Sequence, residues 1–181
     1  MHTFQIAETY AFCLLRNHFN AAVYIKDEVD MTGLRESYPD TQYSLRKHQD
    51  GKESSENLSG LKEPSQYFAN FFNAYTRGVN NAMGRSGALF ERPFKRIPVT
   101  NEKYFLQLVV YINQNPQKHG FVEDFRSWDY SSYHDLIGNA PTRLQRDRMM
   151  ELFGSREDFI RIHQEIQPLV DFDDGEDIGQ T

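Results

Sequence analysis

Apolar and polar positions along the chain follow two periods, and each change of period marks an element. Residues 3–15 are dense in Phe, Ile, Tyr, Ala, Cys and Leu and predict a buried strand. Arg16-Asn17 interrupts that run. From 18 to 26 the pattern alternates, with Phe19, Ala21, Val23 and Ile25 on one face and His18, Asn20, Ala22 and Tyr24 on the other, which predicts a second strand. Residues 27–64 are polar and aperiodic and are expected to form a flexible insert. After Pro64-Ser65 the period becomes helical, with Phe68, Phe71, Phe72, Tyr75 and Val79 on one stripe that ends near Gly84. Residues 88–99 predict a strand-like segment, kinked or at an edge because Pro93 and Pro98 cannot donate to a ladder. Thr100 or Asn101 caps a second helix carrying Phe105, Leu108, Val109 and Ile112, and Pro116 marks its end. Trp128 to Tyr133 reads as an aromatic loop, while 142–153 and 155–167 read as peripheral helices. No internal repeat interrupts this order.

Composition changes the picture in two places. At 181 residues and 39% hydrophobic content the chain can bury one core, and no apolar run nears the length of a membrane span. No basic stretch followed by an apolar core opens it, so a cytoplasmic location is the expectation. Cys13 is the only cysteine, which excludes an internal disulfide and a cysteine-based zinc cluster; its apolar surroundings make it a core residue. The net charge of −6 is uneven, because residues 151–181 hold nine acids against Arg156 and Arg161. The end of that stretch, 171–181, reads as an acidic disordered tail. By contrast, Arg77, Arg85, Arg92, Lys95 and Arg96 face only Glu91 within 75–100. Such a patch can contact phosphates, or can be merely a solvated face.

Two short stretches carry candidate chemistry. On the helix from 101, Tyr104, Tyr111 and Asn115 cluster on one flank of the core stripe, so Tyr111 can bring its hydroxyl to the edge of a cleft with Asn115 one turn away. On the second strand, His18 and Asn20 leave the same sheet face, a spacing that can chelate a metal. Taken alone, these are equally a boundary tyrosine, an asparagine near a helix end and a strand with one histidine.

Four motifs in order then point to a family. Tyr10-Ala-Phe-Cys-Leu-Leu-Arg-Asn-His-Phe-Asn20 resembles the strand–turn–strand of single-tyrosine HUH transposases, in particular the REP-associated tyrosine transposases, where it reads approximately AYCLMPNHFH. Arg85-Ser-Gly-Ala-Leu-Phe-Glu-Arg-Pro-Phe-Lys95 resembles the form RxGxLFxxxFK. Tyr111-Ile-Asn-Gln-Asn-Pro116 with Lys118-His-Gly-Phe-Val122 is similar to YIHxNPxxxGFV, and Trp128-Asp-Tyr-Ser-Ser-Tyr133 to WxxSSY.

The resemblance implies an α+β fold, an antiparallel sheet with packed helices in a ferredoxin-like arrangement. Residues 1–135 would form the transposase-like domain, followed by C-terminal helices over 136–170. It implies a mobile-element DNA transposition and recombination function on single-stranded DNA hairpins, with a homodimer compatible and no membrane partner. Tyr111 matches the nucleophile, which leaves a 5′-phosphotyrosine and a free 3′-hydroxyl. His18 matches the first metal histidine, Asn115 the helix residue that completes the site, and Mg²⁺ or Mn²⁺ the ion. Arg85, Arg92, Lys95 and Arg96 fall near the DNA.

Two departures qualify the activity. Asn20 stands where the second histidine belongs, so this metal position is degenerate and weak binding is expected. Losing about 4 kcal/mol of metal stabilisation would slow the chemistry roughly a thousandfold. Arg16 replaces a proline and Ala21-Ala22 replace bulkier residues. The chain also opens where the family already has a strand and a helix behind it, which reads as an N-terminal truncation or a start placed too late, in a decayed mobile-element copy. The leading expectation is an impaired transposase-like enzyme. The alternatives are a non-catalytic DNA-binding remnant and an unrelated α+β interaction domain.

Overall fold

A computed structural model describes residues 7–26, 64–90 and 95–166. The insert expected over 27–64 and the tail at 171–181 fall outside the described residues, apart from Pro64 at the start of a helix. The protein is α+β, and its chain divides into one unit of Met1–Ala7 and Ile25–Phe94 and another of Glu8–Tyr24 and Lys95–Thr181. Among the described residues no helix is long and apolar enough to cross a membrane.

In the first unit, α1 (Pro64–Met83) forms where the helical period predicts it and ends at Gly84, whose φ of 61° lies in the left-handed region open to glycine. The following turn folds back onto the helix. Arg85 N donates to Asn80 O at 3.0 Å, and Asn80 Nδ2 donates to Gly87 O at 2.9 Å. Phe90 then meets Phe72 edge to face at 5.1 Å. The aromatic stripe is less buried than its period suggests, since Phe71 and Tyr75 are exposed. The expected strand over 88–99 is not present among the described residues of that stretch. Turn hydrogen bonds hold the chain around 85–87 against the helix instead, and Pro98 removes a donor from the segment after it.

The second unit is built around α2 (Glu102–Lys118). Of the two expected caps Asn101 is the one used, its Oδ1 accepting from Tyr104 N at 2.8 Å. Val109, Val110 and Ile112 are buried together, so the helix is covered over a wider arc than the four-residue stripe. Pro116 lies inside α2 and does not end it. Near the terminus a proline removes a single donation, and its ring is fully buried. The end comes at Gly120, where His119 N donates to Asn115 O at 3.0 Å and Phe121 N to Pro116 O at 2.9 Å.

Against α2 stands a two-stranded antiparallel hairpin, β1 (Ala7–Leu14) and β2 (Phe19–Ile25). Leu15 N donates to His18 O at 2.9 Å across the Arg16-Asn17 turn. On β2 the apolar residues Val23 and Ile25 are exposed, while Ala22, on the face of His18 and Asn20, is buried. The free edge of β1 is closed by the Trp128–Tyr133 motif. Leu14 N donates to Tyr130 O at 2.8 Å, Phe12 N to Ser132 Oγ at 3.0 Å, and Trp128 Nε1 to Leu14 O at 3.0 Å. That covering spares the strand the exposed edge of unpaired groups that invites other chains.

A 3₁₀ turn (Phe125–Ser127), α3 (Ser132–Ile137), α4 (Arg146–Phe153) and α5 (Arg156–Glu165) follow among the described residues of this unit. The last helices are more central than the peripheral placement expected, because Phe159 and His163 of α5 are fully buried, Phe159 within the shared core. Cys13 is also buried there, and burial pushes its thiol up to about 12, consistent with a packing role.

Candidate active site

The helix supplies one wall of the site. Tyr111, Asn115 and His119 follow one another at four-residue spacing along a flank of α2 and its cap, and the Asn115–His119 backbone bond keeps the helical path through the last step. The hairpin supplies the other wall. His18 follows the tight turn, and its ring meets that of His119 with centres 5.1 Å apart and planes at 75°.

The hydrogen bonds define what these groups present. His18 Nδ1 bonds Asn17 Oδ1 at 2.9 Å. An amide oxygen only accepts, so Nδ1 carries a proton, and Nε2 is buried on the other side of the ring. Asn115 is 0% exposed, and neither Oδ1 nor Nδ2 has a hydrogen-bond partner among the described residues. Asn20 Nδ2 is in the same condition. A buried amide left so costs about 1–3 kcal/mol, which a native fold rarely retains without a use for it.

Tyr111 differs from its expected placing at a cleft edge. Only 3% of it is exposed and its hydroxyl is buried. Its ring lies beneath the Lys118 ammonium, with Nζ 4.7 Å from the ring centre. The residue also lines a cavity of about 360 Å³ together with Gln114, Gln117, Lys118 and His163. A second cation borders the site, because the Arg16 guanidinium lies 5.9 Å from the Phe121 ring centre.

Behind α2 a buried chain of hydrogen bonds holds the helix in register. Phe12 N donates to Ser132 Oγ, which donates to Asn113 Oδ1 at 2.7 Å. Asn113 Nδ2 donates to His163 Nε2 at 3.0 Å, and His163 Nδ1 to Phe159 O at 2.8 Å. Burial of His163 pushes its imidazole down to about 4, and the Asn113 donor occupies the nitrogen that a proton would need.

The donor chemistry fits a loosely held divalent ion. Among the described residues no group of three or more His, Cys, Asp or Glu is placed to bind a metal. The available set is one buried imidazole nitrogen and the buried amide oxygen of Asn115, neutral donors that hard ions accept weakly, whereas the atom of Asn20 left without a partner is the amide nitrogen, which does not bind metals.

Of the cationic candidates, Arg85, Lys95 and Arg96 are exposed, and Arg92 lies outside the described residues. Arg85 uses one donor locally, with Nη2 on Ala88 O at 3.2 Å.

One known protein is similar to this chain over most of its length. A Haemophilus influenzae protein with the provisional name REP-associated tyrosine transposase is 24% identical over 127 residues, 70% of this chain. That likeness agrees with the resemblance carried by the four motifs. The chain spans 59% of the length of that Haemophilus protein. No family profile matches the chain, and neither does any solved structure.

Sequence reasoning missed three groups that the structure places at or behind the site: His119, Lys118 and the Asn113–His163 pair. His119 and Lys118 stood in plain view in the Lys118-His-Gly-Phe-Val122 motif, but at positions the family pattern leaves open. Nothing in the pattern of α5 marked His163 as the partner of a helix fifty residues earlier.

Proposed function

We propose that this protein is a tyrosine transposase-like enzyme that nicks single-stranded hairpin DNA. The observation that carries this reading is the fully buried Asn115, whose amide has no partner among the described residues, one turn after Tyr111 and one turn before the His18–His119 contact. A divalent ion, Mg²⁺ or Mn²⁺, would supply polarisation of the scissile phosphate. His18 through Nε2 and Asn115 through Oδ1 would hold it, with Asn20 a weaker substitute for a histidine. Tyr111 Oη gives up its proton and forms the bond to phosphorus, the bond from phosphorus to the 3′ oxygen breaks, and that oxygen leaves as a hydroxyl after taking up a proton. Lys118, already seated on the Tyr111 ring, adds positive charge beside the attacking phenol.

The test is incubation with hairpin oligonucleotides and Mn²⁺, followed by denaturing electrophoresis. A covalent protein–DNA adduct that disappears with chelator is the expected result. Asn20 favours a second reading, a DNA-binding remnant without catalysis, and hairpin binding with no adduct would select it. Absence of both binding and adduct would defeat the transposase reading altogether.

The basic residues make a separate prediction. Changing Arg85, Arg92, Lys95 and Arg96 together to alanine should weaken hairpin binding and flatten its salt dependence, by up to about 0.7 in the logarithmic slope for each single-strand phosphate no longer neutralised. An unchanged slope in a salt titration would take this patch out of the interface.

A further inference from the structure

We propose that His119, and not Asn20, provides the second imidazole of the metal site, so that one divalent transition-metal ion is held by His18, His119 and Asn115. This rests on the reading of His18 and Asn115 as ligands and changes the identity of their third partner. Position 20 cannot offer an imidazole, whereas the structure brings a second one to His18 from the end of α2. The 5.1 Å between the two ring centres suits a shared ion. With metal–nitrogen bonds of about 2.1 Å, adjacent imidazoles on one ion have ring centres roughly 4.5–5.2 Å apart. His18 is oriented as a ligating histidine commonly is, with Nδ1–H held by an amide oxygen and Nε2 turned inward.

Asn115 provides the independent sign of a ligand. It lies four residues before His119 on the same helical path, and both polar atoms of its buried side chain lack a partner among the described residues. His119 is exposed, which leaves room on its side of the ion for a phosphate oxygen. Two imidazoles and an amide oxygen shift preference away from Mg²⁺ and toward Mn²⁺, Co²⁺, Ni²⁺ or Zn²⁺. On this arrangement the loss at Asn20 has been offset from another element of the fold.

The test is metal binding by the full chain without DNA, using calorimetry with Mn²⁺ and Co²⁺ and the visible spectrum of the Co²⁺ form. His119→Ala and His18→Ala should each weaken binding at least tenfold, in keeping with the roughly 10–100-fold cost of losing even a residue that orients a ligand. The double variant should bind more weakly than either single one, because it removes both imidazoles from the same ion. Asn20→Ala should weaken binding far less than His119→Ala does, and an equal loss in the two would overturn the proposal. Folding is not at stake in His119→Ala, since the helix-ending bond comes from its backbone N–H; equal melting temperatures would verify this.

A rescue arm uses position 20. Asn20→His added to His119→Ala should recover affinity by restoring two imidazoles. Wild-type affinity in His119→Ala, alongside a loss in His18→Ala, would overturn the proposal while leaving the active-site reading intact. Failure of the rescue in a folded double variant would also overturn it. No metal binding by the wild-type chain at millimolar ion would overturn it too, and the hairpin adduct assay would then judge the active-site reading separately.

Discussion

Tyr111→Phe is expected to reduce covalent protein–DNA adduct formation at least a thousandfold, a loss of about 4 kcal/mol in transition-state stabilisation. Phenylalanine keeps the ring, its 3% exposure and the face that Lys118 covers, but has no oxygen to form the ester. Stability should therefore move by no more than about 1.5 kcal/mol, the range of a typical hydrogen-bonding group. Hairpin affinity should be unchanged within about threefold, because the chemistry and not the binding surface has been altered. The measurement is adduct yield over time on denaturing gels, beside a binding isotherm. An adduct that survives the substitution would mean that another hydroxyl attacks. Tyr104, half-buried two turns earlier on the same helix, would be the next residue to change.

The second large effect concerns acid and His163. Its folded pKa, about 4, lies below the ordinary value of 6.5, so the unfolded chain takes up this proton first as pH falls. Stability from the neutral imidazole is thus complete above about pH 6.5 and is lost progressively down to about pH 4, for a total on the order of 3 kcal/mol. Asp124 and Asp158 are held below the usual carboxylate range by hydrogen bonds from Arg126 and Arg161 respectively, so their contributions fade at lower pH. Their fading therefore lies below the histidine window. Denaturant unfolding at about pH 7.5, 6, 5 and 4.5 should show this fall. His163→Gln should be less stable at neutral pH and should flatten the dependence. The same slope in that variant would exclude His163 as its source.

How much of this was legible depends on what local pattern can encode. Strand and helix periods placed the hairpin, α1 and α2 closely, and Asn101 was readable as a cap because a side-chain oxygen three residues before a free N–H is a local event. Period two divides β2 into faces but cannot say which is covered; tertiary packing buried Ala22 and left Val23 and Ile25 in solvent. Pro116 looked like a terminus, yet a helix tolerates the loss of one donor near its end. The motifs pointed to Tyr111, His18 and Asn115 as a group. They could not show that His119 lies against His18, because that contact joins a hairpin turn to a helix cap about a hundred residues away. Nor could they show the Ser132–Asn113–His163 chain, whose members belong to three different helices.

The protein's single tryptophan has a practical consequence of its place in this architecture. Trp128 is pinned to the β1 backbone through its indole N–H, and its ring centre lies 5.9 Å from that of Phe121, two positions after His119. It is a built-in fluorophore at the seam between hairpin and helix. Its emission reports on one spot, without a second indole to blur the signal, so events at the paired histidines can be followed optically in the unlabelled chain.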